Sequence, residues 1–169
     1  GSLGARTINE VMVELIVAKH KDEVHFIHGY GQYGKWVPER LSQKGVDLTA
    51  ENIDVREYIY DMADCLAAAD IVISRAGASS LSEIQALGKT AILIPSPNVA
   101  ENHQYHNAMA LVNNDAAIVF EEKDLTANKL IDAVNDLLND REKLARIGFN
   151  AKKMAKLDAK EKICNEILE

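Results

Sequence analysis

The chain has 169 residues, the size of one ordinary domain or of one half of a two-domain enzyme. Hydrophobic residues make up 47% and charged residues 27%, a globular composition that excludes a disordered or fibrous chain. The formal net charge of −7 and the 5% of aromatic residues argue against a nucleic-acid binder, which needs cationic side chains and stacking platforms.

Apolar residues recur with helical and with strand-like spacing in turn along the chain. Helical spacing predicts an amphipathic first helix over residues 6–18, and a short β-rich run follows over 24–29. The later segments alternate in the same way: helix 33–44, strand 53–59, helix 62–69, strand 71–73, helix 80–87, strand 91–94, helix 103–113, strand 117–120, and helices 126–139, 141–155 and 158–168. Strands that alternate with helices predict a Rossmann-like α/β fold, with a parallel sheet and helices on both faces.

Two segments allow a more specific prediction about the sheet. The apolar run Ile71-Val72-Ile73 is typical of a strand that is covered on both faces. Gly1-Ser2-Leu3-Gly4 leads directly into the first helix, so we expect the strand before that helix to be missing. The start at Gly1 suggests a piece of a longer protein.

Metal, redox and membrane chemistry have little support in the sequence. Cys65 and Cys164 lack the spacing of a disulfide framework or a metal site, which suits a reducing compartment, and Cys65 is interpreted as a small packed residue. His103 and His106 have no third ligand nearby, so neither a metal nor a cofactor is expected. No signal peptide is present, and no apolar run reaches the roughly 18 residues of a membrane-spanning helix.

The stretch SRAGASSLSEIQALG, residues 74–88, combines a strand end, a turn of small residues and a helix start. Free amide groups and a partial positive charge at a helix N-terminus suit a phosphate or diphosphate. Gly77 and Ala78 keep the approach open, and Ser79, Ser80 and Ser82 add hydroxyl groups. The same turn also occurs in α/β proteins without a ligand, so both interpretations stay open on these residues alone.

Glu83 has two interpretations as well. Ser80-Leu81-Ser82-Glu83 fits a capping box, in which the glutamate accepts a hydrogen bond from the Ser80 amide. Alternatively, the carboxylate accepts both hydroxyls of a nucleotide ribose, as acidic residues do in dinucleotide-binding folds. The spacing alone favours the cap.

Two further loops are candidates for ligand contacts. Ser2-Leu3-Gly4-Ala5 is a second turn of small residues before a helix, and it could hold a diphosphate from another side. The polar loop PSPNVAENHQYHNA, residues 95–108, follows a predicted strand, and Gln104 and Asn107 there suit sugar hydroxyls. Asn102 could instead cap the next helix, and Asn107 could bridge only backbone.

Taken in order, these segments resemble the C-terminal half of the MurG family of peptidoglycan N-acetylglucosaminyltransferases. The resemblance covers essentially the whole chain and rests on GSLGAR, YIYDM, SRAGASSLSE, ALGKTAILIPSP and ENHQYHNA. It implies one half of a GT-B glycosyltransferase, with residues 1–169 as a single Rossmann-like domain that binds UDP-N-acetylglucosamine. It also implies an inverting hexosyltransferase that needs no metal and makes lipid II from lipid I in bacterial cell-wall synthesis.

The resemblance assigns site residues by motif. Ser2 would contact the diphosphate, and the main chain of Ile59 would pair with uracil, with Tyr58 and Met62 nearby. The residues that would line the phosphate and the sugar are Ala78, Ser79, Ser80, Leu81 and Ser82. Glu83 would bind the ribose diol, Gln104 would bind the N-acetylglucosamine hydroxyls, and Asn107 matches the motif with a role still open. These assignments shift the expectation for Glu83 from the cap to the ribose.

The resemblance also implies partners that this chain does not supply. An N-terminal domain would hold the lipid acceptor, the catalytic base and the membrane-facing surface, so no catalytic residue is expected here and the isolated piece would be inactive. The full enzyme would work in the cytoplasm at the inner face of the cell membrane. The alternatives are a donor-binding subunit of another UDP-sugar lipid glycosyltransferase and a non-catalytic nucleotide-binding module.

Overall fold

The computed structural model describes residues 3–98, 100 and 102–168. Its helices are α1 Arg6–Lys19, α2 Val37–Gln43, α3 Met62–Ala68, α4 Ala78–Leu87, α5 His103–Val112, α6 Ala127–Asn139 and α7 Arg141–Leu168, with 3₁₀ turns at Gln32–Gly34 and Glu122–Asp124. Its strands are β1 Phe26–Gly29, β2 Ile53–Arg56, β3 Ile71–Ser74, β4 Thr90–Leu93 and β5 Ile118–Val119. The predicted alternation of helices and strands is confirmed.

The described residues form two compact units. The first unit lies within residues 1–65 and 126–133, and the second within 66–125 and 134–169. In the first unit β1 and β2 pair in parallel, from Phe26 opposite Ile53 to Gly29 opposite Arg56. Its buried apolar residues lie mainly on α1, the two strands and α2: Val13, Leu15, Ile16, Phe26, Val37, Leu41 and Ile53.

The second unit contains a parallel sheet in the order β3-β4-β5. Small side chains dominate its core, which lets helices approach the sheet closely. The core residues are Ala76, Leu81, Ile84, Ala91, Leu93, Ala108, Leu111, Ala116, Ala117 and Ala151. Helices α4 and α7 meet where Gly88 faces Gly148, since a Cβ on Gly148 would lie 2.5 Å from the Gly88 carbonyl oxygen. The predicted parallel α/β class is therefore confirmed.

Several predicted boundaries were wrong. The predicted helix 33–44 is a 3₁₀ turn followed by α2, in which Pro38 lies in the first turn, where a missing amide does no harm. The predicted strand 53–59 ends at Arg56, and the backbone bends at Glu57. Helices 141–155 and 158–168 are one helix of 28 residues, since no glycine or proline separates them.

The burial expected for residues 71–73 was also wrong. All four residues of β3 are half-buried, whereas all four residues of β4 are buried. The reason is the strand order, because β4 has a partner on each side and β3 pairs only with β4 among the described residues. Within the same residues, no helix combines the length and the apolar character that crossing a bilayer requires.

Candidate functional site

In the second unit, the β3–α4 turn presents free amide groups. Gly77 is the N-cap of α4 in an extended conformation, with φ −69° and ψ 149°, and the first helical bond runs from the Leu81 amide to the Gly77 carbonyl oxygen at 3.0 Å. Among the described residues, the amides of Ala78, Ser79 and Ser80 have no partner. Ala78 and Ser79 are exposed, so an anion can reach this helix end.

The capping-box interpretation of Glu83 was wrong. Because α4 begins at Ala78, Ser80 is the third helical residue and not the N-cap, so Glu83 lies beyond the first turn. The Glu83 side chain is exposed, and no described residue forms a hydrogen bond or an ion pair with it. Its carboxylate is therefore available to a ligand.

Arg75 fixes the strand end just before this turn. Its Nη1 atom donates to the carbonyl oxygens of Ile94 and Pro95, each at 3.2 Å, and to Oε2 of Glu122 at 2.7 Å. The side chains of Arg75 and Glu122 are 25% and 21% exposed, so water screens this pair only in part. One guanidinium thereby joins the carboxyl end of β3 to the segments that follow β4 and β5.

Gln104 holds the same turn from α5. Its Oε1 atom accepts hydrogen bonds from the Ala76 amide at 3.3 Å and the Ser96 amide at 3.0 Å, and the residue is 9% exposed. Its Nε2 atom lies 4.0 Å from the point that a Cβ on Gly77 would occupy. The amide oxygen of Gln104 is thus engaged by the protein, and only its NH₂ group is left for a ligand.

The other predicted residues of this unit lie around the first half of α4. Leu81 is 5% exposed and belongs to the core, so its side chain anchors the first turn of α4 to the core. Ser82 and Asn107 line a shallow cavity of about 290 Å³ that Met154 and Asp158 of α7 also border. His103 and His106 are exposed, and no group of three or more possible metal ligands occurs in the described part of the chain.

In the first unit, a glycine-dependent contact joins the start of α1 to the loop after β1. Gly4 and Gly31 have φ values of 85° and 76°, and a Cβ on Gly4 would overlap the Tyr30 carbonyl oxygen. The Tyr33 amide donates to the Leu3 carbonyl oxygen at 3.0 Å. The predicted diphosphate contact of Ser2 lies outside the described residues.

Ile59 lies in the loop that follows β2. A Cβ on Gly29 would lie 3.1 Å from Ile59 Cγ1, so the Ile59 side chain packs on the end of β1. Neither its amide nor its carbonyl group has a hydrogen-bond partner in the part of the chain that the structure describes. Tyr58 and Tyr60 meet edge to face beside it, with ring centroids 4.9 Å apart. The main chain of Ile59 thus offers one donor and one acceptor.

Four sets of interactions were not predicted from the sequence, and those of Arg75 and Gln104 are two of them. Besides the Arg75 contacts, Arg56 pairs with Asp54 and Asp61, and the Arg56 guanidinium holds the pKa of the Asp61 carboxyl below its usual value. Burial raises the pKa of the half-buried Cys65 thiol, which argues against a nucleophile. The fourth interaction joins His28 to Asn9 in the first unit. The alternation Asp54-Val55-Arg56 was the one available signal, since residues i and i+2 share a strand face.

A family model and a set of named proteins match this chain. The model of the glycosyltransferase family 28 C-terminal domain matches residues 1–163. Two similar proteins, from Thermoanaerobacter sp. and Desulforamulus reducens, are 46% and 43% identical over 96% and 94% of the chain. Both are named UDP-N-acetylglucosamine–N-acetylmuramyl-(pentapeptide) pyrophosphoryl-undecaprenol N-acetylglucosamine transferase. The chain spans 44% of the length of each.

Solved structures show the same fold. The crystal structure of Acinetobacter baumannii MurG is similar over 90% of this chain and 43% of its own, with a TM-score of 0.75 and 26% identity. The glycosyltransferase VinC, solved in complex with dTDP, is similar over 91% of this chain and 36% of its own, with a TM-score of 0.66. At 16% identity, the second likeness concerns the fold alone.

Proposed function

Because the chain belongs to the glycosyltransferase family 28 C-terminal domain family, we propose that residues 1–169 act as one donor-binding domain for UDP-N-acetylglucosamine. The observation that carries this proposal is the 43–46% identity, over nearly the whole chain, to proteins named as N-acetylglucosamine transferases. In the whole enzyme, the sugar would pass to lipid I with inversion and give lipid II for peptidoglycan.

The diphosphate is proposed to bind at the N-terminus of α4. The amides of Ala78, Ser79 and Ser80, which have no partner among the described residues, would donate to phosphate oxygens, and the hydroxyl of Ser82 would face the sugar side. As the bond from the sugar to UDP breaks, negative charge builds up on the diphosphate. Fixed amide dipoles stabilise that charge without reorganising, which is the catalytic contribution open to this domain.

Recognition of the ribose and the sugar is proposed for two side chains of the second unit. The exposed carboxylate of Glu83 would accept hydrogen bonds from both ribose hydroxyls. The Nε2 group of Gln104 would donate to a hydroxyl of N-acetylglucosamine, because its Oε1 atom already accepts hydrogen bonds from the Ala76 and Ser96 amides. Asn107 would lie at the edge of the same region, beside Ser82.

Uracil is proposed to pair with the main chain of Ile59. The amide of Ile59 would donate to a uracil carbonyl oxygen, and its own carbonyl would accept from uracil N3–H. Ser2 would contact the diphosphate, as its motif implies. No metal ion is needed in this scheme, since amide dipoles provide the positive charge.

The remaining parts of the reaction are assigned to the portion of the relatives that this chain does not match. A general base and the lipid acceptor must lie within about 3–3.5 Å of their reaction partners for in-line attack. We assign both to an N-terminal domain, together with attachment to the inner face of the cell membrane. This chain alone would bind the donor and transfer nothing.

Isothermal titration calorimetry tests the proposal directly. The chain should bind UDP and UDP-N-acetylglucosamine, and it should bind ADP much more weakly because adenine does not match the Ile59 main chain. The sugar nucleotide should bind more tightly than UDP through the Gln104 amide group. A chain that is folded by circular dichroism yet takes up neither uridine ligand at millimolar concentration would contradict the proposal.

A further inference from the structure

Arg56, the last residue of β2, joins two carboxylates on either side of the Ile59 loop. Its Nε and Nη2 atoms donate to Oδ1 and Oδ2 of Asp54 at 3.1 and 2.7 Å, a side-on pair between neighbours on one strand face. Its Nη1 atom donates to Oδ1 of Asp61 at 2.6 Å. Asp54 therefore holds the guanidinium plane, and that plane holds Asp61 at the start of α3.

Main-chain bonds fix the two ends of this loop but not its middle. The carbonyl oxygens of Arg56 and Glu57 accept from the amides of Tyr30 and Gly31 at 2.9 and 2.8 Å, and the Asp61 carbonyl accepts from Cys65 at 3.1 Å. Among the described residues, nothing bonds to the main chain of Ile59. The orientation of the Ile59 amide and carbonyl groups therefore depends on two side-chain contacts, that of Ile59 with Gly29 and that of Arg56 with Asp61.

The contacts of Arg56 with Asp54 and Asp61 restrict the conformation of the loop more than they stabilise the folded chain. The side chains of Arg56, Asp54 and Asp61 are 31%, 46% and 49% exposed, and exposed ion pairs contribute little to the free energy of unfolding. A planar guanidinium that contacts both carboxylates nevertheless leaves few conformations open to the four residues between Arg56 and Asp61. That is the property that a main-chain base-recognition site requires.

We propose that Arg56 is a positioning residue that fixes the Ile59 main chain and thereby sets the preference for uracil over cytosine. The inference rests on the proposed binding of UDP. Uracil offers an N3–H donor beside a carbonyl oxygen, which matches a main-chain acceptor and donor. Cytosine has an N3 acceptor beside an amino donor, so its acceptor would face the Ile59 carbonyl and its donor would face the Ile59 amide. A rigid loop enforces this difference, and a loose loop adapts to either base.

Calorimetry with UDP, CDP and inorganic diphosphate tests the inference on the full chain and on Arg56→Gln and Arg56→Lys. The expected loss of UDP affinity in Arg56→Gln is roughly tenfold, the effect of two weakened hydrogen bonds. Affinity for CDP and for diphosphate should change little, so the preference for UDP over CDP falls by about the same factor. Arg56→Lys should also lose most of this preference, because an ammonium group cannot hold both carboxylates in one plane.

Arg146→Gln is the matched control for charge. Its Nε atom donates to Asp115 at 2.7 Å, its side chain is 54% exposed against 31% for Arg56, and the change in net charge is the same. This variant should keep the base preference of the wild-type chain. If Arg56→Gln unfolds, Arg56→Lys decides, because it retains the charge.

The outcomes separate the inference from the function on which it rests. A wild-type chain that binds no UDP would overturn both. A wild-type chain that prefers UDP, with Arg56 variants that keep that preference, would overturn the positioning role alone. Equal losses for UDP, CDP and diphosphate would also overturn it, because they would indicate a general effect of charge.

Discussion

The Nε2 atom of His28 lies 3.0 Å from Oδ1 of Asn9, in the interior of the first unit. Since an amide oxygen only accepts, the imidazole donates through Nε2. Asn9 in turn donates through Nδ2 to the Tyr30 carbonyl oxygen at 2.9 Å. His28 on β1 thereby supports the contact between the start of α1 and the loop that contains Gly31.

Acid should destabilise the chain through His28. Burial lowers the pKa of this imidazole from 6.5 to about 4. The unfolded chain therefore binds a proton first as the pH falls below 6.5, and stability is lost from there down to about pH 4. At about 1.4 kcal/mol for each tenfold difference in proton affinity, the full loss is about 3 kcal/mol. Urea unfolding of the wild-type chain and of His28→Gln between these pH values measures it.

His25, the residue just before β1, is the matched control for this pH dependence, because its side chain is exposed. His25→Gln should leave the slope of stability against pH unchanged, whereas His28→Gln should flatten it. Equal slopes in the wild-type chain and in His28→Gln would show that carboxylates, and not this imidazole, cause the loss.

Glu83→Gln should weaken UDP binding without changing stability. The side chain is exposed and has no partner among the described residues, so its replacement should alter the free energy of unfolding by less than about 0.5 kcal/mol. Hydrogen bonds to a charged acceptor contribute roughly 1.5–3 kcal/mol each, so affinity for UDP should fall at least tenfold. Calorimetry with UDP measures this loss, and calorimetry with 2′-deoxy-UDP isolates the contact with the 2′-hydroxyl.

The exposed Glu51 supplies a variant with the same change of charge, Glu51→Gln, which should bind UDP as the wild-type chain does. If the wild-type chain binds UDP and 2′-deoxy-UDP equally well, Glu83 has no role at the 2′-hydroxyl.

Gln104→Leu should unfold more easily, because it leaves two amide groups without an acceptor. The Oε1 atom of Gln104 accepts from the fully buried Ala76 and from Ser96. Each unpaired buried amide costs about 1–3 kcal/mol, and we expect a total loss of about 2–4 kcal/mol in urea unfolding. Gln43→Leu, at an exposed position of α2, should change stability by less than about 0.5 kcal/mol.

The fold was readable from the sequence because its signals are local. The apolar spacing of α1, the run in β4 and Gly88, whose φ is 63° at the end of α4, each act within a few residues. What failed depends on neighbours distant in sequence. Whether residues 71–73 are covered depends on strand order.

The candidate site divides in the same way. The α4 N-terminus was predicted because glycine and serine residues before a helix have a local meaning. The capping box placed the N-cap of α4 at Ser80, three residues after the actual N-cap, Gly77, since the motif alone does not fix where a helix begins. The contacts of Arg75 and Gln104 were not predicted because their partners are distant in the sequence. The partners of Arg75 lie 19 to 47 residues away, and those of Gln104 lie 8 to 28 residues away.

The ion pair between Arg75 and Glu122 should hold the diphosphate turn in place. Both side chains are at least three-quarters buried, and the guanidinium also serves two carbonyl groups. Glu122→Gln should cost about 2 kcal/mol, since it weakens a charge-assisted hydrogen bond in a place that water screens poorly. Affinity for inorganic diphosphate should fall as well, because the turn that bears Ala78 loses a support.

A double-mutant cycle separates the pair from its surroundings. Arg75→Gln, Glu122→Gln and the double variant should show a coupling of about 1–3 kcal/mol in urea unfolding, as expected for residues in direct contact. Lys143 and Asp136, an exposed pair 2.6 Å apart, provide the comparison and should couple by less than about 1 kcal/mol. Coupling between Arg75 and Glu122 no larger than this would mean that the carbonyl groups of Ile94 and Pro95 hold the guanidinium by themselves.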